Sequence, residues 1–362
     1  VFEIVREGRG GLVVPYRFVS PGIHTMRVQA RVEDSVQEFG PTVVVNDPDA
    51  IRLVRSSRIP GNDPLLGGLA IDSELFLSGW TDDRLYRLDP ADLAVQEAVE
   101  FPPGTRKLEG VAVLESAGLL AVAEESFRIH VLRLQDLRPE RVIELGDAAP
   151  GGGDLVYLLP LSDGVVANLL GPALVDVQSG NVLRRREIER MVHFQLSSDE
   201  ELLAVAQNEL SEPGASNTVL LLTTSDLSIR WSTDLPVPPW RVAFSPGGDR
   251  VYVLAADVTA GHLVFFVLSE AGEILSQTIV EGQAGLPTGA APVAVSADGR
   301  FVAFSTFSGL YVVDTDLHLV RYRSEPLLGC CSVAAGPVGT RFYVAGTGVD
   351  SRGVALLEVR ED

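Results

Sequence analysis

Residues 240–280 read WRVAFSPGGDRVYVLAADVTAGHLVFFVLSEAGEILSQTIV. An apolar segment meets a Ser-Pro-Gly-Gly-Asp turn, a second follows at Val251 to Ala255, a third from Leu263 to Leu268 ends in an Ala-Gly turn, and a fourth closes the unit. Four short strands joined by tight turns make one antiparallel sheet. An echo, PVAVSADGRFVAFSTFSGLYVVDTDLHLVRYR, begins at Pro292, and fainter copies lie on both sides. A chain that repeats a four-strand unit cannot bury each sheet alone, so its copies must pack on one another in an array.

With that unit as a ruler, innermost strands are expected to begin near Leu69, Gly110, Asp154, Val192, Trp240, Pro292 and Ser332, a spacing of roughly 38 to 52 residues that is the range of propeller blades. Seven starts predict an all-β, seven-bladed β-propeller over residues 50–362. Six units also carry a turn between third and fourth strands, such as DPADL (Asp89 to Leu93), TSDL (Thr224 to Leu227) and SEAGE (Ser269 to Glu273). The seventh reaches LLEVRED with no such turn. A three-stranded last blade leaves an open edge and an unclosed ring. The stretch Ile51 to Ile59, IRLVRSSRI, has no blade of its own and reads like the fourth strands elsewhere, so it is expected to complete the seventh blade beside Val354 to Val359.

Residues 1–49 differ. They alternate apolar and polar residues around a Pro21-Gly22 turn, as three strands of a small sandwich do. The run YRFVSPGIHTMRV resembles the corner of PKD-like and other bacterial immunoglobulin-like domains, which implies a small N-terminal β module, partial in length; Asn46 to Asp49 read as its linker. The propeller repeats PPWRVAFSPGGDRVYVL and PVAVSADGRFVAFST resemble the seven-bladed propellers of the YVTN and quinoprotein amine dehydrogenase-like superfamily. These motifs specify a blade and carry no chemistry. The Trp-Asp pair of WD40 blades is missing, which argues against a strict WD40 repeat.

Composition narrows the partners. A formal charge of -20, from 29 basic and 49 acidic residues, disfavours nucleic acid, whose binding rests on clustered cations. No apolar run reaches the roughly 18 to 20 residues of a membrane helix. The chain begins at Val1 without an initiator Met, which is consistent with processing. Together with the immunoglobulin-like resemblance and the acidic surface, this points to a periplasmic or cell-surface bacterial protein.

The five histidines show no metal-ligand spacing, and GxSxG, HExxH and phosphate-cradling loops are absent, so no metal or cofactor is expected. The acidic pairs Glu124-Glu125 and Asp314/Asp316 read as solvated turns. Because the loop entering each innermost strand opens at one mouth of a propeller channel, Lys107, Glu109, Asp154, His193, Trp240 and Arg241 are the candidate ligand- or partner-binding residues, with Trp240 foremost. Cys330 and Cys331 are adjacent and are the only cysteines. Their Cα atoms lie about 3.8 Å apart, short of the usual disulfide span of roughly 4.4 to 6.8 Å, so they read either as a reduced pair or as a strained vicinal disulfide. Some propellers of the quinoprotein superfamily carry vicinal disulfides, so the resemblance makes the second option worth testing.

The functional expectation is a non-catalytic extracytoplasmic binding or scaffold subunit that docks protein partners on the propeller faces, within a larger membrane-associated or cell-surface complex. The alternatives are a propeller enzyme, either a lactonase-like hydrolase or a quinoprotein dehydrogenase subunit, and a carbohydrate-binding module that uses Trp80, Trp231 or Trp240 for stacking.

Overall fold

The computed structural model describes residues 22–25, 28–32, 35–39, 42–45, 50–59, 66–71, 73–79, 83–105, 107–145, 157–208, 217–257, 262–280, 293–306, 309–316, 320–323, 331–348 and 351–360. The chain divides into two compact units, Val1–Asp47 and Pro48–Asp362. In the first, Gly22–Thr25 pairs antiparallel with Thr42–Val45, and Val28–Val32 with Ser35–Phe39.

The second unit is a seven-bladed β-propeller. Seven four-stranded antiparallel sheets follow one another. Their innermost strands are Leu66–Ile71, Leu108–Leu114, Leu158–Pro160, Met191–Leu196, Pro239–Phe244, Ala294–Val295 and Cys331–Ala335. Second strands such as Leu119–Glu124 are buried on both faces, while outer strands such as Val95–Glu100 alternate between partly buried and exposed positions. That gradient is what radial packing requires: inner strands are sandwiched between neighbouring blades, and outer strands meet water on their edge.

Each sheet buries its faces against the next. Seven apolar clusters mark the interfaces, and each draws from two adjacent blades. The one that joins the ends of the ring places Leu75, Leu77 and Tyr86 of the first blade against Tyr343, Val354 and Leu356 of the seventh. In that seventh sheet the outer strand is Ile51–Arg58, paired antiparallel with Ser351–Val359 from Ile51 opposite Val359 to Arg58 opposite Gly353. Arg52 adds an ion pair to Glu358 at 2.5 Å.

The two ends of the ring are built differently. At one end lie the turns between first and second strands and between third and fourth. Their Ser-x-Asp chemistry repeats: the hydroxyls of Ser197, Ser245 and Ser296 donate to Asp199, Asp249 and Asp298 and accept the amides of Leu202, Arg250 and Phe301. These turns are also stitched across blades. The Arg87 guanidinium donates to the carbonyls of Leu134 and Gln135, Arg141 to Gln178, and Arg186 to Leu227. Trp231 Nε1 donates to Glu270 O at 2.7 Å and Thr233 to Gly272 O at 2.7 Å. A second, inner row joins Ser116 to Ser162 O, the Ser162 amide to Glu200, and Ser198 to Pro246 O. At the opposite end several connections are longer, for example from Glu144 to Leu158, Gln207 to Thr218 and Val280 to Ala294, while others, such as Glu124 to Arg128 and Asn168 to Pro172, stay short.

Candidate functional site

A cavity of about 560 Å³ runs along the ring axis, lined by residues from the innermost-strand region of all seven blades. Its wall mixes apolar side chains, among them Val111 and Val113 of the second blade, Val295 of the sixth and Val333 of the seventh, with polar ones such as Gln195, Ser198 and Ser245. Polar side chains gather at the end that carries the long connections: Glu109, Tyr157 and His193.

His193 is 1% exposed. The backbone amide of Val242 on the next blade donates to its Nδ1 at 3.2 Å, so the ring proton resides on Nε2. Burial, and then the nearby Arg241 guanidinium, hold its pKa well below the ordinary value, and the imidazole is neutral. Tyr157, just before its blade's first strand, meets His193 edge to face at 5.0 Å and 84°. Burial raises the phenol's pKa; the Glu109 carboxylate acts in the same direction and Arg241 opposes both. Arg241 is itself buried, and its Nη1 donates to the Trp240 carbonyl at 2.8 Å. Ser78 donates to the Glu109 carbonyl at 3.2 Å and so ties the first blade to this end of the second.

Of the residues singled out in the sequence, the structure thus brings Glu109, His193 and Arg241 together around Tyr157. Lys107 stands apart, with Nζ on Glu125 Oε1 at 2.7 Å and the Glu125 amide donating to its carbonyl at 3.1 Å. Its φ of 22° is a left-handed conformation that this two-point clamp holds in place. The Trp240 side chain packs against the apolar cluster between the fifth and sixth blades instead of the cavity. Asp154, Cys330 and the side chain of Cys331 lie outside the described residues.

Two acidic positions read as solvated turns are buried. Glu124 is 0% exposed. It accepts from Arg128 Nη2 and Ser126 Oγ at 2.6 Å each and lies 2.6 Å from His130 Nε2, while Phe101 meets the His130 ring edge to face at 4.8 Å. Asp314, also 0% exposed, pairs with Arg300 Nε at 3.1 Å. The reason lies in strand geometry: each closes a strand whose pleat turns that side chain inward, and a paired cation offsets the desolvation. Tyr157 escaped sequence reading altogether, because its blade enters through Gly151 to Gly153 with no alternating pattern to flag an inward-facing residue.

Three or more potential metal-ligating side chains do not converge anywhere among the described residues. The axial cavity holds a neutral imidazole, a phenol and a carboxylate at one end, with the Arg241 guanidinium close by.

No family model matches the sequence, and no curated protein matches it. Solved structures do. The chain is similar to the Cps50 (Swd1) β-propeller domain of Myceliophteria thermophila, at 12% identity and a TM-score of 0.65, over 86% of this chain and 100% of that one. It is also similar to hydrazine synthase of Kuenenia stuttgartiensis, at 15% identity and a TM-score of 0.68, over 84% of this chain and 99% of that one. At such identities the likeness is one of fold, and it places the chain among β-propellers with a WD40-like architecture.

Proposed function

We propose that this chain is a binding subunit that docks a protein partner on the end of the propeller bearing the long connections. The observation that carries the reading is the asymmetry between the two ends. One is tied down blade to blade through Arg87, Arg141, Arg186, Trp231 and Thr233. The other presents longer connections on a rigid ring, with Lys107 and Glu125 clamped at its surface. Variable loops on a fixed scaffold are where proteins place recognition. The fold is shared with a propeller domain, that of Cps50 (Swd1), and with hydrazine synthase, so fold alone does not choose between docking and catalysis. The internal pairing of the charged groups Glu124, Arg128, Lys107 and Glu125 favours docking, because it stiffens a platform.

In the fuller reading, the subunit works outside the bacterial cytoplasm in a membrane-associated or cell-surface complex. Its propeller is of the YVTN and quinoprotein-like kind, and residues 1–49 form an immunoglobulin-like module. The charge of -20 supports a protein partner over nucleic acid. Among the described residues no helix is long and apolar enough to cross a membrane.

Lys107 is the only lysine in the sequence, which makes the test sharp. Photo-crosslinking residues installed at Lys107 or Glu125, and separately at Ser198 or Asp226 on the stitched end, are irradiated in cells and the adducts identified by mass spectrometry. Adducts from the first pair alone support the reading. Adducts confined to the second pair, or none from any position, overturn it, as does a native absorption spectrum revealing a redox prosthetic group.

A further inference from the structure

The axial cavity carries an inference that goes beyond docking and stands without it. His193 is almost completely buried, yet it lines a space of about 560 Å³, within the roughly 300 to 1,000 Å³ of small-molecule pockets. Its Nδ1 is committed to the Val242 amide. The remaining ring nitrogen is therefore a fixed N–H donor, and among the described residues no acceptor is found for it. A donor that opens only onto the cavity has its hydrogen bond completed by whatever occupies that space, and an occupant that accepts from it gains accordingly. Val111, Val113, Val295 and Val333, from three different blades, supply apolar surface along that space, with Gln195, Ser198 and Ser245 lining it farther from His193.

Charge selects among occupants. Arg241 lies close enough to Tyr157 and His193 to act on both, and the Glu109 carboxylate lines the same end of the cavity. A cationic head group meets the guanidinium, an anionic one meets the carboxylate, and the two fields oppose each other. An uncharged head escapes both penalties. We propose that the axial cavity is a binding site for a small uncharged molecule with an apolar body and a carbonyl-type oxygen, which accepts from His193 Nε2 beside the Tyr157 hydroxyl.

The test uses three probes of one shape on the intact chain near pH 7.5: benzamide, benzoate and benzylamine. Affinities are read by ligand-observed NMR, and the imidazole nitrogens by a long-range proton–nitrogen correlation on the labelled protein. Benzamide should bind at least about tenfold more tightly than either charged probe and should shift the His193 Nε2 resonance; His193→Phe and Tyr157→Phe should each weaken it about three- to tenfold. Equal or tighter binding of benzoate or benzylamine, no benzamide binding at millimolar concentration, or unchanged affinity in folded His193→Phe overturns the proposal. If a variant fails to fold, the Nε2 resonance of the native chain decides alone: an unmoved signal at saturating benzamide counts against it. None of these readouts involves a protein partner, so failure here leaves the docking reading standing, and the converse holds.

Discussion

The hydroxyl of Tyr343, in the seventh blade, donates to the carbonyl of Pro90, in a turn of the first, at 3.0 Å across 253 residues of sequence. It is the ring's seam as seen from the stitched end, and it repeats what the Arg87, Arg141 and Arg186 side chains do at other joints. Tyr343→Phe keeps the ring's packing and removes the bond, so it should cost about 1 kcal/mol of stability, read as a lower urea midpoint with an unchanged slope. A midpoint equal to that of the parent chain would show that the seam is held by the apolar cluster beneath it alone.

Glu124 tests the buried ion cluster. Glu124→Gln leaves Arg128 and His130 facing an amide in a site that excludes water, and it should destabilise the fold by about 3 kcal/mol, the lower end of the range for a broken buried pair because Arg128 retains some solvent contact. Glu125→Gln, next in sequence, breaks only a partly exposed pair with Lys107 and should cost under about 1 kcal/mol. Chemical denaturation of the two variants side by side checks the contrast, and equal losses would contradict it.

Why this carboxylate was misread and the blades were not has a physical explanation. The blades were legible because the clearest of them share one turn, in which Ser197, Ser245 and Ser296 satisfy the same amides with the same atoms. A turn has few solutions, so it leaves a residue-level trace. The axial site has no such economy. Tyr157, His193, Arg241 and Glu109 come from four different blades, and they meet only because the ring curves, which no local pattern encodes. Glu124 and Glu125 look equivalent in sequence, yet the inward side chain of a fully buried strand end and the outward one after it differ only by the pleat.

The neutral state of His193 should be visible in the acid response of the fold. Its folded pKa is depressed, so below the ordinary value of 6.5 the unfolded chain binds a proton that the folded chain does not. That stability is therefore complete above about pH 6.5 and is lost as pH falls toward the folded value. Denaturation midpoints between pH 7.5 and 5 should fall for the native chain and fall less steeply for His193→Phe. Parallel slopes for the two would remove this residue from the acid response.

Asp226 acts in the same sense at lower pH. The Thr223 hydroxyl, and then the Ser228 amide, hold its carboxyl down from 3.8 to about 2. Its contribution is present above the ordinary carboxylate value and disappears as pH falls toward about 2. Thr223→Val should move its titration midpoint up toward the ordinary value, as followed by the side-chain carboxyl carbon in an NMR titration. A midpoint that stays near its original position would assign the depression to the turn amides alone.

Gly171 and Gly118 separate backbone freedom from close approach. Both have positive φ, 134° and 63°. A Cβ on Gly118 meets nothing within 4 Å, whereas one on Gly171 falls inside the envelope of the Arg186 carbonyl oxygen and lies 2.8 Å from the Ile188 amide nitrogen. Gly118→Ala should cost about 1 kcal/mol, and Gly171→Ala about 3 kcal/mol or more as the outer edge of the third blade is forced apart. Melting temperatures give the ranking, and a reversed order would mean that the third blade yields where it is drawn tight.

The pairing of Ile51–Arg58 with Ser351–Val359 also sets a schedule. On a ribosome the strand that closes the ring emerges before the first blade, and its partner emerges only after six whole blades; Arg52 and Glu358, which join the two strands, are 306 residues apart. At about 5 to 20 residues per second this is a wait of roughly 15 to 60 s during which the early strand must stay unmated. A message cut short before the codons for Ser351–Val359 leaves Ile51–Arg58 without its partner and the ring with an open edge, so an unfinished ring is marked by a strand left over.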